Sequence, residues 1–260
     1  MLEFYESIEF IKGEVDKNLK KIPIPEKPKY LYGPIHYALR ASGKRFRPIL
    51  VHLAGKSLKI NPDSLMKMSL AVELLHIFTL VHDDIMDNDT MRHGMETIHE
   101  KWDASTAILA GDGIYTIAQI ILNEISGSGT ELSKYFNKVT LEICEGQALD
   151  KEFENKNTIT ENMYMEMIEK KTGVLLGASA ALPSIYSNDE VEQIRTFESF
   201  GKSLGKGFQI HDDILEITGN QKVMGKSLGS DILEGKQTIM VIKAKSKFPN
   251  QWKKMLKNSN

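Results

Sequence analysis

An all-α fold, one helical bundle around a central pocket, is what three observations on this 260-residue chain predict. Apolar residues recur at three- and four-residue steps almost throughout, and no alternating run of useful length appears. No proline falls between Pro62 and Pro183, which leaves the middle of the chain open to long helices. Two similar acidic runs each close an apolar helical stretch: His82-Asp83-Asp84-Ile85-Met86-Asp87 and His211-Asp212-Asp213-Ile214-Leu215-Glu216.

The elements follow in order. Leu2, Tyr5, Ile8, Ile11, Val15 and Leu19 mark a first helix, which the three prolines of 21–29 break. A second spans about 45–58, with Pro48 tolerated in its first turn. Asn61-Pro62-Asp63-Ser64 is a start signal for a helix reaching about Asn88, roughly 40 Å long. Further helices are expected at about 102–125, 130–153, 160–181 and 189–216, with breaks at 127–129, 155–160 and 183–188. No linker or tandem repeat is visible, so the expectation is a single domain over 1–260.

Composition narrows the function. A 41% hydrophobic and 26% charged chain is ordinary for a globular protein. A net charge of −2 gives no reason to expect nucleic-acid binding. One cysteine, Cys144, rules out an internal disulfide framework and is expected to be buried in a helix. The start, Met-Leu-Glu-Phe-Tyr-Glu, is unlike a signal peptide, and the longest uncharged apolar stretch, about 173–183, is too short to span a bilayer. The expectation is a cytoplasmic protein with no stable membrane insertion.

The acidic runs carry the chemistry. Residues i and i+4 of a helix share a face about 6 Å apart along the axis. Asp83 and Asp87 therefore point one way, and so do Asp212 and Glu216. Like charges at that spacing weaken a helix. Paired oxygen ligands with no Cys or His array suggest Mg²⁺, which shares its shell with substrate phosphates. Matching cations exist. Lys44, Arg45 and Arg47 precede a helix, a favourable place for a diphosphate. Arg92-His93-Gly94, Lys170-Lys171-Thr172-Gly173, Gly225-Lys226-Ser227 and Gly235-Lys236-Gln237-Thr238 supply others, and none has the spacing of a P-loop.

At these residues the chain resembles the trans-type (E) isoprenyl diphosphate synthases, the polyprenyl synthetase family. The series GKRFRP, ELLH, LVHDDIMDND with RHG, GQALD, KTG, FQIHDDILE and GKSLGSDILEGKQT covers about 33–238 in that order. The resemblance implies an isoprenoid synthase bundle, a homodimer, and prenyl transfer between isopentenyl diphosphate and allylic diphosphates. It implies three Mg²⁺ ions: Asp83 and Asp87 on one side with Asp84 in support, Asp212 on the other with Asp213 and Glu216 assisting. Arg92, Lys171 and Lys226 would neutralise the allylic diphosphate. Lys44, Arg47 and His76 would hold isopentenyl diphosphate, with Thr172 and Gln209 steadying the allylic cation and Lys236 and Gln147 as outer contacts.

The chain departs from the family pattern at four places. His93 replaces an arginine that grips isopentenyl diphosphate, and its charge depends on pH. Glu96 replaces a proline, Glu216 replaces an aspartate, and only 22 residues follow Thr238, which suggests a reduced lid or one supplied by a partner. In the family, residues just before the first acid run floor the pocket in which the product grows. Phe78 and Thr79, one large and one small, resemble archaeal geranylgeranyl synthases and favour a C20 product over C15. A terpene cyclase would need Ser and Glu where Glu216 and Asn220 stand. A di-iron bundle would use Glu73/His76 and Glu96/His99 and leave both acid runs idle. A non-catalytic partner subunit typically loses the acids that are kept here.

Overall fold

The computed structural model describes residues 2–154, 156, 158–218 and 235–258. It is all-α apart from one two-stranded hairpin. The helices are α1 Leu2–Leu19, α2 Lys29–Ala38, α3 Phe46–Ser57, α4 Pro62–Asp87, α5 Ile98–Lys101, α6 Ala104–Asn123, α7 Gly129–Glu154 and α8 Glu161–Ile168. A π-helical turn, Glu169–Gly173, follows, then α9 Val174–Tyr186, α10 Val191–Thr218, α11 Ile239–Lys247 and α12 Pro249–Asn258. The hairpin strands are β1 Met91–Arg92 and β2 Met95–Glu96.

Local chemistry explains the boundaries. Asn61 Oδ1 accepts from the Ser64 amide at 2.9 Å and Pro62 fills the first turn, so α4 starts where the sequence says. Asp103 caps α6 through the Thr106 amide at 2.7 Å, and Thr160 caps α8 through Met163 at 3.2 Å. Three features depart from expectation. α2 forms although Pro34 lies inside it, α9 runs through Pro183 to Tyr186, and 160–181 divides around the π-helical turn.

The chain makes two compact units: Met1–Thr140 with Leu175–Gly201, and Leu141–Val174 with Lys202–Asn260. In the first, α4 is the central helix, with Met68, Ala71, Val72, Leu74 and Leu75 fully buried. Burying a Leu side chain contributes about 1.5–3 kcal/mol. α6 comes close to α4 at Gly111, where a Cβ would lie 2.3 Å from His82 Nε2. The second unit has its own core of Phe153, Ile159, Tyr164, Met167, Ile239 and Ile242. There α7 approaches the π-helical turn at Gly146, where a Cβ would lie 2.3 Å from the Lys171 nitrogen.

α4 and α6 are long and apolar enough to cross a membrane by length and hydropathy. For α4 this reflects a core position, since 61% of its apolar window is buried within the protein. Cys144, expected inside, is exposed on α7.

Candidate active site

In the first unit, Asp83, Asp84 and Asp87 occupy the last turn of α4, which holds no basic residue. Three carboxylates at the negative end of a helix oppose its dipole and each other. Asn88 ends the helix in the left-handed region, at φ 53°. The hairpin then turns on His93 (φ 50°) and Gly94 (φ 76°). Positive φ at both central residues is what a two-residue type I′ turn requires. Thr97 closes the loop, its hydroxyl donating to the Asp89 carbonyl at 2.7 Å and its amide to Thr90 at 3.1 Å.

That loop returns Arg92 to the acids. Its Nε donates to Asp84 and its Nη2 to Asp89 at 3.1 Å. Asp84 is 5% exposed. Burial raises its carboxyl pKa to about 6; Arg92 opposes the rise, and Asp89 and Asp83 add to it. Asp83 and Asp87 on the next face are more accessible.

The basic run before α3 splits by direction. Lys44 is exposed and Arg47 half-buried. Arg45, held at φ 51°, turns inward to Glu73 at 2.6 Å, Asp16 at 2.7 Å and the Ala41 carbonyl at 2.7 Å. Arg45 thus belongs to the fold and leaves the expected diphosphate cradle. It also occupies Glu73, half of the supposed di-iron pair. His76 is held well below its ordinary pKa, first by burial and then by the charges of Arg47, Arg92, His93 and Arg45. Arg47, Arg92 and His93, separated from His76 in sequence, thus lie near enough to act on it electrostatically. The pKa of His93 is lowered by burial, Arg92 and Arg45, against the pull of Glu73.

Phe78 and Thr79, the expected floor, lie on α4 ahead of the acids. The Phe78 ring meets the His82 ring edge-on at 4.7 Å and lies tilted at 5.4 Å from Tyr115 of α6. The Thr79 hydroxyl donates to the His76 carbonyl at 2.8 Å, so it serves the helix backbone. Tyr115 is itself bound to Asn137 and to Gln119 (2.9 Å).

In the second unit, α10 presents Asp212 outward and buries Asp213 and Glu216. Asp213 was expected to assist the metal. Its oxygens accept from Tyr164 Oη (2.7 Å), Gln209 Nε2 (3.1 Å) and the Ile239 amide (3.1 Å). Three donors fill most of a carboxylate's acceptor positions. Lys171 and Thr172 lie in the π-helical turn, a feature frequent at functional sites. Lys171 Nζ sits 2.5 Å from Asp150 of the GQALD run, and Thr172 Oγ1 donates to Gln209 Oε1 at 2.9 Å. Gln147 of the same run is 8% exposed, with neither amide atom hydrogen-bonded. Lys236 is partly exposed ahead of α11, and Lys226 lies outside the described residues.

Sequence reading missed Asp150, Tyr164 and Asp16, since an acid or tyrosine far along the chain carries no mark of its partner. The ELLH and GQALD motifs already contained Glu73 and Asp150; a charge-pairing argument would have found them.

An oxygen-only donor set suits Mg²⁺. Among the described residues no group of three His, Cys, Asp or Glu side chains is placed to enclose a metal. Mg²⁺ takes one or two carboxylates and completes its shell with phosphate and water. Two surface cavities, of about 570 Å³ along the turn Asn123–Glu131 and about 310 Å³ between Leu19 and Arg40, contain none of these residues.

The whole arrangement has relatives. Residues 28–260 match the polyprenyl synthetase family model. A geranylgeranyl diphosphate synthase of Methanosarcina mazei is 40% identical over 235 residues, 89% of this chain and 72% of that protein. One of Saccharolobus solfataricus is 44% identical over 221 residues, 83% of this chain and 67% of that protein. The solved geranylgeranyl pyrophosphate synthetase of Geoglobus acetivorans superimposes with a TM-score of 0.86 at 38% identity, over 92% of this chain and 76% of that one. With the family model matching residues 28–260 and relatives about 40% identical over most of their length, this chain belongs to the polyprenyl synthetase family of prenyl-transferring enzymes.

Proposed function

We propose that the chain condenses isopentenyl diphosphate with allylic prenyl diphosphates, head to tail, to give geranylgeranyl diphosphate. The observation that carries this reading is the Arg92 guanidinium held on Asp84 within the Asp83–Asp87 turn, with Arg47 and His93 near enough to act on His76. It puts anion-binding groups next to cation-binding ones, as a metal diphosphate requires.

Prenyl synthetases bind isoprenyl diphosphates and are generally Mg²⁺-dependent. Bound Mg²⁺ would stabilise the negative charge that builds on the departing diphosphate. Asp83, Asp87 and Asp212 would hold such ions, three in this reading, with Glu216 and Asp84 in support. Arg92, Lys171 and Lys226 neutralise the allylic diphosphate, while Lys44, Arg47, His76 and His93 grip the isopentenyl one. As the allylic C–O bond breaks, the oxygens of Thr172 and Gln209 face the resulting cation. The isopentenyl double bond attacks it, and the proton then lost goes to the departing diphosphate. His76, kept neutral, serves as a hydrogen-bond donor whose strength does not change near neutral pH. Gln147 and Lys236 lie one step outside. Phe78, backed by Tyr115, ends chain growth.

The reading makes residues 1–260 a single polyprenyl synthetase domain that works in the cytoplasm. It makes the working form a homodimer, because α6 exposes Ile108, Leu109 and Ile120 on its outer face. The test is product sizing with Mg²⁺, isopentenyl diphosphate and, separately, dimethylallyl, geranyl and farnesyl diphosphate. A C20 product is expected. C15 would move the floor toward the acids, and no product from any primer would overturn the reading in favour of a non-catalytic subunit.

A further inference from the structure

Asp213 is an acid of the second run that the metal account does not need, and its three bonds have a consequence for catalysis. The amide of Gln209 can sit in two orientations that differ only by exchange of oxygen and NH₂. Its neighbours decide between them. Asp213 Oδ2 accepts from Tyr164 Oη at 2.7 Å and from the Ile239 amide at 3.1 Å. A backbone N–H can only donate. Tyr164 is 1% exposed, and burial together with Asp213 drives its phenol pKa far up, so it too remains a donor. Asp213 is thus fixed as an acceptor, and its Oδ1 takes the NH₂ of Gln209 at 3.1 Å. Gln209 Oε1 is thereby aimed at Thr172 and takes the proton of its hydroxyl at 2.9 Å. A hydroxyl has one proton to give. With that proton committed to Gln209, Thr172 offers only lone pairs to anything else.

We propose that Asp213 is a positioning residue: through Gln209 it sets the proton polarity of Thr172, so that lone pairs rather than a hydrogen face the allylic cation. The inference rests on the prenyl-transfer reading. In it the second acid of the run acts through a relay of Gln209 and Thr172, anchored at its far end by Tyr164 and the first amide of α11.

Asp213→Asn tests it. The fixed donors draw the new amide oxygen to Tyr164 and Ile239, its NH₂ faces Gln209, and Gln209 must flip. Thr172 then accepts from Gln209 and turns its hydrogen outward. We expect kcat to fall about a hundred-fold, the size of effect seen when one oriented dipole at a developing charge is lost. KM for both diphosphates and the Mg²⁺ requirement should stay put. Adding Gln209→Glu restores an acceptor to Thr172 and should recover most of the loss, whereas Gln209→Glu alone sets two carboxylates against each other and should not help. Tyr164→Phe leaves the Ile239 donor in place and should change kcat less than about three-fold.

Calorimetry with two unreactive ligands reads the same device without turnover. An allylic diphosphate analogue carrying an ammonium at the cationic carbon should lose at least about ten-fold in affinity in Asp213→Asn. A thiolodiphosphate analogue that lacks the ammonium should bind as before. The inference is overturned if Asp213→Asn keeps its kcat, if its Mg²⁺ requirement rises, if the double variant is no better than the single, or if both analogues weaken alike. A wild-type protein that makes no prenyl product would sink the prenyl-transfer reading. The contrast between the two analogues would still judge the relay.

Discussion

The two acidic runs are nearly the same string, yet the structure surrounds them differently. In each, the second aspartate is buried, 5% exposed in both Asp84 and Asp213. Asp84 meets a cation, Arg92, returned by a hairpin. Asp213 meets three neutral donors from α8, α10 and the start of α11. The residues before them, Asp83 and Asp212, stay accessible. The difference follows from helix geometry: successive residues are about 100° apart, so an acidic doublet on an amphipathic helix puts one carboxylate outward and one inward. Each doublet therefore offers one accessible carboxylate and ties the other into the fold, and the proposed function makes the first a metal ligand and the second an anchor.

The largest expected effect comes from removing an outward acid. Asp83→Asn or Asp212→Asn should cost roughly a thousand-fold or more in turnover, several kcal/mol of charge stabilisation, with the fold intact; steady-state kinetics and a melting curve separate the two. The basic run extends the inward–outward distinction. Arg45→Met strands Glu73 in the core and should lose about 3–5 kcal/mol of stability. Arg47→Met should leave the melt nearly unchanged and raise KM for isopentenyl diphosphate. Equal loss of stability in both would show that the run does not divide by direction.

Phe78→Ala should lengthen the product by at least one isoprene unit; an unchanged product would return Phe78 to the core. Smaller effects sort the histidines. His52 is held below its ordinary pKa by burial, and His76 by burial and its cationic neighbours. The unfolded chain takes up protons near pH 6.5 that these folded sites refuse, so stability is full above that pH and declines below it. The slope is at most about 1.4 kcal/mol per pH unit for each group. Asp84 works the other way, losing stability as pH rises between its ordinary 3.8 and about 6. Urea melts of Asp84→Asn at pH 7.5 and 5.5 isolate the histidine part, and His52→Asn should flatten it. His93 is exposed, and the proposed function puts it on the isopentenyl diphosphate, so His93→Arg should lower KM for isopentenyl diphosphate at pH 8, where histidine is uncharged; no change would remove His93 from that site.

Helix content and motif chemistry were largely legible because both rest on local rules. Asn61-Pro62, the acid spacing and the apolar period each act within one turn or one helix. α2 went unassigned: Pro34 sits inside it, and its Leu31 and Ile35 pack on α6 at Gly113, a contact that the sequence does not display. The hairpin was too short for periodicity, although positive φ at His93 and Gly94 is what an x-Gly pair suggests. Three site details escaped for one reason: Arg45 on Glu73, Lys171 on Asp150 and Tyr164 on Asp213 are contacts across 21 to 49 residues. Charge and spacing nominate a residue, and only the fold says which way it points.

The most direct measurement is turnover against Mg²⁺ concentration for four single variants, Asp83→Asn, Asp84→Asn, Asp212→Asn and Asp213→Asn. An account of outward ligands and inward anchors predicts that the Mg²⁺ midpoint rises for 83 and 212. It stays at the wild-type value for 84 and 213, where only the plateau falls. A midpoint that shifts alike in all four would contradict it and make each doublet a pair of ligands.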